Sequence, residues 1–303
     1  MAQFWTLFKL QLSPVHNKSL LLVIAVCSVS VFFMGCSKGV VQAQPIAPSS
    51  FKIFNSIHYA NTPDLTSRGV HALNIFYENA LITPDPANPT DKLPDSVKIA
   101  AAAKQSLSNT SVPVTLDIES WSYAAAQLPT TVARYIQVVS VFKKTNPQSP
   151  VGYYGAIPQN RYNWSNIQPA GSTNYVNWQK TNDALRPLAN VIDVFFPACY
   201  TFNTDTAAWK NFVTAVVSEA KRYNTGKRVY AYIWPQFHEG TGLDLQFVPA
   251  AVWKFELETL YPIADGVVIW SGSKAADGST ISWDENSPWW QETQAFIARH
   301  QIK

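Results

Sequence analysis

The chain has 303 residues, 47% of them hydrophobic, which is enough apolar material for a sizeable core and fits one large domain better than two small ones. A net charge of +3 is too small to argue for a nucleic-acid partner and would not repel a polyanionic glycan. Eleven Trp, thirteen Tyr and sixteen Phe are mostly core material, but a surplus near strand ends is what a sugar-binding cleft needs, because apolar sugar faces stack on rings.

Lys9 and Lys18 precede an apolar run from Ser19 to Cys36 that reads as a secretory signal and not as part of the fold. Phe33-Met34-Gly35-Cys36-Ser37 resembles a bacterial lipobox, which implies cleavage before Cys36 and lipid attachment to its sulfur. Residues 1–35 are therefore expected to be a lipoprotein signal peptide, and the mature chain an exported lipoprotein anchored to a membrane through Cys36, in the periplasm or at the cell surface. Retained uncleaved, the same run has the length of a transmembrane anchor, and either outcome exports the domain. Residues 36–50, rich in Gln, Ala, Pro and Ser, read as a disordered tether, which leaves 51–303 as a single folded domain.

From Ser50 onward, short β-rich runs alternate with longer segments that can be helical. Phe51 to Ile57 is the first run and Ala72 to Glu78 the second. Pro84 to Pro94 holds four prolines without a periodic pattern and reads as a loop, followed by a helix over Asp95 to Leu107 capped by Asp95. Val112 to Trp121 carries the third strand. Thr130 to Lys144 places Val132, Tyr135, Ile136, Val139 and Phe142 on one helical face and ends in lysines that suit a C-terminus.

Val151 to Gly155 is the fourth run, followed by a polar and aromatic loop through Trp164 and a helix over Asn174 to Leu188. Val191 to Tyr200, Arg228 to Trp234 and Gly266 to Trp270 are the fifth, sixth and seventh runs. They are separated by helices over Thr206 to Tyr223 and Pro249 to Leu260 and closed by one over Pro288 to Ile302. Alternating strands and helices argue for parallel βα units with the sheet covered on both faces. Seven such units predict an α/β fold, a distorted TIM-like (β/α) barrel with seven strands. An open doubly wound sheet would call for a glycine-rich phosphate turn that the chain lacks.

The C-terminal ends of barrel strands form the active face. Here these ends carry Tyr77-Glu78, Asp117-Ile118-Glu119-Ser120-Trp121, Tyr154, Tyr200-Thr201, Trp234-Pro235-Gln236 and Trp270-Ser271. Asp117 and Glu119 stand two apart on a strand, so they share one face with Cα atoms roughly 6.5 Å apart, and like charge should raise the pKa of one of them. A group so raised suits a general acid. Two neighbours on one strand share one wall, however, whereas the usual glycosidase needs carboxyl groups on both sides of the bond it breaks. The spacing suits a mechanism in which the substrate's own 2-acetamido oxygen attacks, with Glu119 protonating the leaving oxygen and Asp117 orienting the acetamido group. The plainer reading of such a pair is a helix cap or a solvent-facing strand end.

Once Cys27 is removed with the signal and Cys36 is lipidated, Cys199 stands alone inside the apolar run Val194 to Tyr200, where a buried, inert thiol is expected. The five histidines show no metal-ligand spacing and no glycine-rich phosphate loop appears, so neither metal nor cofactor is expected.

The motifs in order resemble the hyaluronidase family of glycoside hydrolases, which includes the animal and venom enzymes, with this chain as a divergent bacterial lipoprotein member. The resemblance rests on Ile75-Phe76-Tyr77-Glu78-Asn79-Ala80-Leu81, Leu116-Asp117-Ile118-Glu119-Ser120-Trp121, Gly152-Tyr153-Tyr154-Gly155, Phe196-Pro197-Ala198-Cys199-Tyr200, Val229-Tyr230-Ala231-Tyr232 and Gly266-Val267-Val268-Ile269-Trp270. It implies a retaining, substrate-assisted glycosidase acting on a hyaluronan-like or chondroitin-like polysaccharide. Glu119 would be acid and base, Asp117 the acetamido partner, Tyr154 and Tyr200 the lining of the reacting sugar, and Trp270 the ring beneath it. Tyr77, Trp121, Trp234 and Gln236 complete the expected substrate contacts.

The chain departs from that family in lacking its disulfides, in having Ala156-Ile157-Pro158-Gln159-Asn160 where an acidic residue and a cysteine are usual, and in offering only Lys221, Arg222 and Arg228 near the place of the cleft arginine. Two other functions fit the same residues. One is a hydrolase of a glycan without acetamido groups, using Glu78, Asp193 or Asp244 as a separate nucleophile. The other is a glycan-binding lipoprotein without turnover.

Overall fold

A computed structural model describes residues 50–160 and 167–303. The expected signal peptide, Cys36, nearly all of the expected tether and the run at Trp164 lie outside the described residues. Among those described, no helix is long and apolar enough to cross a membrane.

The first strand, β1 (Lys52–Ser56), is followed by two short strands, β2 (His71–Ala72) and β3 (Asn74–Tyr77), which are successive halves of one strand interrupted at Leu73. After the hairpin β4 (Ile82–Asp85) and β5 (Asn88–Pro94) come helix α1 (Ser96–Gln105), strand β6 (Val114–Asp117), helix α2 (Leu128–Thr145) and strand β7 (Val151–Tyr153). Helices α3 (Thr173–Ala184) and α4 (Arg186–Val191) precede β8 (Val194–Phe195), and α5 (Thr206–Arg222) precedes β9 (Arg228–Ile233). The last elements are α6 (Ala250–Leu260), β10 (Gly266–Trp270) and α7 (Pro288–His300).

The parallel ladders run β2–β1–β10–β9–β8 and β3–β6–β7. The shared β2–β3 strand joins the two sheets at one seam, and a parallel bridge between Tyr154 and Phe196 joins them at the other. The result is a closed, distorted TIM-like (β/α) barrel of seven strands. Its interior is a column of aromatic rings, with Phe54, Tyr230 and Phe196 low and Tyr154, Tyr200 and Trp234 high, while a larger apolar core lies between the barrel and its helices.

The strand and helix positions follow the sequence pattern closely, and the differences have local causes. The proline-rich stretch is not a loop: Ile82 pairs with Pro94 and Thr83 with Leu93 in an isolated antiparallel hairpin, with a register shift at Pro84 and Asp85. Both of its strands are edges, so a proline without an N–H costs no ladder bond there. One predicted helix is two, because Pro187 at the start of α4 ends the run that Ser172 caps. The fifth strand is reduced to two residues, since Pro197 cannot donate to the ladder, and the pairing resumes only as a bridge between Ala198 and Tyr232. Asp95 caps α1 as expected, accepting from Val97 and Lys98 N–H at 3.0 and 3.1 Å.

Candidate active site

Along β6 the side chains alternate as a strand requires. Val114, Leu116 and Ile118 are buried towards the helices, while Thr115, Asp117 and Glu119 face the barrel axis. Tyr135 donates to the Ile118 carbonyl at 2.9 Å, which fixes the strand end between the two acids, and Tyr232 donates to Thr115 Oγ1 at 2.8 Å below them. Asp117 and Glu119 therefore open together into a cavity of about 130 Å³ at the C-terminal end of the barrel.

Tyr154, Tyr200, Trp234 and Trp270 wall that cavity. Tyr200 stacks on Trp270 with ring centroids 5.7 Å apart and 30° between planes, and Trp234 meets Trp270 edge-on at 4.7 Å. Rings held by one another in this way form a stiff apolar surface. A second cavity of about 160 Å³ adjoins the first, sharing Glu119 and Tyr154 and lined also by Tyr123, Gly155 and Asn160. Glu119 thus stands between two chambers, where an acid that protonates a bridging oxygen would have to stand.

Asp117 is pushed up to about 7, first by burial and then by the negative charges of Glu119 and Glu78. Among the described residues, no lysine or arginine lines the cavity, and Lys92 pairs with Glu78 outside it. Lys221 and Arg222 lie on α5, with Arg222 paired to Glu219 and Asp183, and Arg228 starts β9 at the opposite end of the barrel.

Tyr77, at the rim and 38% exposed, pairs in register with Asp117 and bonds His58 and Trp270. Two expected substrate contacts are placed elsewhere. Trp121 is buried, packs edge-on against Tyr135 at 4.9 Å and gives its Nε1–H to the Lys92 carbonyl at 2.8 Å, so it anchors the hairpin to the core. Gln236 is fully buried with all its bonds used: Oε1 accepts from Tyr59 and Trp234, and Nε2 donates to Leu245 and Lys274 carbonyls. It holds Trp234 in place and has nothing left for a ligand.

The alternative nucleophiles are also engaged. Glu78 is ion-paired with Lys92 at 2.5 Å and accepts from Ser120 N–H. Asp193 lies at the other end of the barrel, paired with Lys143 and accepting from Val151 N–H. Asp244 accepts from Thr241 and Gly242 N–H inside its own turn. Cys199 is buried, and burial raises its thiol well above the usual range, as an inert core residue requires.

Three residues at the site were missed. His238 and Glu239 line the cavity from the loop after β9, and His58 reaches Tyr77 from just beyond β1. Each lies in a segment that follows a barrel strand, and that position was the available signal.

No protein-family model matches the sequence, and a search of curated proteins finds no match. Solved structures do match. Bee venom hyaluronidase in a monoclinic crystal aligns over 82% of this chain and 97% of its own, at 15% identity and a TM-score of 0.54. Bee venom hyaluronidase in complex with a hyaluronic acid tetramer aligns over 83% and 96%, at 16% identity and a TM-score of 0.55. At such identities the likeness is one of fold.

Proposed function

We propose that the chain is an exported, lipid-anchored glycoside hydrolase that cleaves within an N-acetylhexosamine-containing polysaccharide, of the hyaluronan or chondroitin kind, with retention by substrate-assisted catalysis. The observation that carries this reading is the placement of Asp117 and Glu119 on one wall of an aromatic cavity, with Glu119 between two chambers. A sugar seated on the Tyr200–Trp270 surface would have its scissile oxygen towards Glu119 and its 2-acetamido group towards Asp117. Glu119 donates its proton to the leaving oxygen as the acetamido oxygen closes on the anomeric carbon, and then takes a proton from the water that opens the ring so formed. Positive charge grows on the acetamido nitrogen during closure. Asp117, costly to ionise in the empty site, gains its counter-charge at that moment, so the interaction strengthens towards the transition state.

The fold of bee venom hyaluronidase, solved with a hyaluronic acid tetramer, supports a polysaccharide as substrate.

The test is digestion of a panel of acetamido-containing and acetamido-free polysaccharides by wild type and Glu119→Gln, with products read by mass. Saturated oligosaccharides released from an acetamido polymer by wild type alone support the proposal. Equal turnover by Glu119→Gln sinks it. Glu239 supports a second reading, because it is the third carboxylate lining the cavity and comes from a different strand's loop, as a separate nucleophile would. Cleavage of an acetamido-free glycan that is lost in Glu239→Gln would select it.

A further inference from the structure

The N-terminal mouth of the barrel is the place where such folds are normally plugged by bulky branched side chains. Here the one branched apolar residue whose parity points it inward at that level is Val194, beside Lys52, His71, Pro113, Arg228 and two glycines, Gly152 and Gly266. Glycine is required at two of these positions: an added Cβ would stand 2.1 Å from the Val194 carbonyl at Gly152 and 2.2 Å from the Lys52 carbonyl at Gly266. Neither contributes a side chain to the plug. The outcome is a cavity of about 720 Å³, far larger than either chamber at the carboxylates and within the range of small-molecule sites.

The cavity has an apolar floor and a cationic wall. Phe54 and Tyr230 make the floor, with ring centroids 4.7 Å apart. The Tyr230 hydroxyl makes no hydrogen bond with any described residue and is not among the buried unpartnered atoms, so it opens to the cavity. Lys52, His71 and Arg228 stand on the wall. Arg228 gives one guanidinium nitrogen to Asp265 at 2.7 Å, which leaves further N–H donors of its planar fork. The acid on the wall is Asp193, whose charge is already answered by Lys143 and whose oxygen accepts the Val151 N–H. Arg228 is thus balanced by Asp265 and His71 meets the Lys303 backbone oxygen at 3.0 Å, so the positive charge that no described carboxylate answers on this wall is that of Lys52, over a floor of aromatic rings.

We propose that this mouth is a second, non-catalytic binding site that takes a small organic carboxylate with a flat or ring-shaped apolar body. The body lies on Phe54 and Tyr230, and the carboxylate sits between the Lys52 ammonium and the remaining donors of Arg228, so an anion without a ring, such as phosphate, forgoes the contact with the floor.

Calorimetric titration of the full chain with benzoate, benzamide and inorganic phosphate tests this, using wild type, Lys52→Met, Lys52→Arg and Glu119→Gln. Saturable benzoate binding is expected, weakened about tenfold or more in Lys52→Met by loss of a charged hydrogen bond, restored in Lys52→Arg and unchanged in Glu119→Gln. Crystals soaked with para-bromobenzoate should place the bromine over Phe54 and Tyr230, a readout that holds even if Lys52→Met fails to fold. Absence of saturable benzoate binding at millimolar concentration, equal binding of benzamide or phosphate, bromine at the carboxylate cleft, or loss of binding in Glu119→Gln would each overturn the proposal.

Discussion

Tyr77 and Asp117 are register partners across the parallel pair β3 and β6, so the hydroxyl that meets His58 Nε2 at 3.0 Å belongs to the position beside the buried carboxylate. Trp270 Nε1–H reaches the same hydroxyl at 3.3 Å. Burial holds the His58 imidazole below its usual range, so at neutral pH it is uncharged and can accept the Tyr77 proton while Trp270 donates to the Tyr77 oxygen. One rim tyrosine thereby ties the Trp270 ring to the strand that carries Asp117.

Tyr77→Phe removes both bonds and keeps the ring. Catalytic efficiency should fall on the order of tenfold, about 1.4 kcal/mol, with little change in Tm because the residue is at the rim. Steady-state kinetics beside a thermal melt decides it. A lowered Tm with unchanged kinetics would make the residue structural.

Asp117 sets a pH dependence of stability. Its carboxyl is pushed up from 3.8 to about 7, so the folded chain holds this proton more tightly than the unfolded chain does. The associated stability is fully present below about pH 3.8 and is lost as pH rises through about 7. Asp117→Asn has no charge to bury and should gain on wild type across that window, by up to about 4 kcal/mol above it. Urea midpoints at about pH 5 and about pH 8 measure this, and a difference constant between the two would contradict it.

Glu256 predicts the same sign at a different place. It is fully buried and pushed up to about 8 by burial, with Thr201 donating to one carboxyl oxygen at 2.5 Å and the other oxygen unpartnered. The Thr201 carbonyl in turn accepts from His238 N–H at 2.8 Å, so this glutamate underpins the loop that carries His238 and Glu239. Wild-type stability should fall as pH rises towards about 8, whereas Glu256→Gln should keep only the part of that fall that Asp117 contributes and retain full activity near neutrality. Melting both proteins across alkaline pH gives the answer, and parallel curves would count against a buried proton.

Trp121→Phe separates core from cleft. The change strands the Lys92 carbonyl and should cost about 1–3 kcal/mol of stability with KM unchanged. A raised KM at unchanged Tm would return Trp121 to the substrate.

The seven strands, the closure they imply and the pairing of Asp117 with Glu119 on one face were all legible in the sequence, because periods of two and 3.6 are properties of local backbone geometry. So was the cap at Asp95. Helix α3 was read too long because Pro187 sits inside an otherwise continuous pattern, and the hairpin at 82–94 was missed because its prolines are tolerated only where both strands are edges.

The division among the aromatic residues was a tertiary matter. Trp121 and Trp270 both stand at strand ends, and sequence treats them alike. Trp121 is withdrawn by a carbonyl on the hairpin and by Tyr135 on α2, whereas Trp270 is held in the cavity wall by Tyr200, Trp234 and Tyr77. The same holds for Lys52, His71 and Arg228, which are far apart along the chain and meet only because the barrel closes. Local periodicity determines which way a side chain points. What it meets there is decided by chain closure, which brings together residues that no local pattern relates.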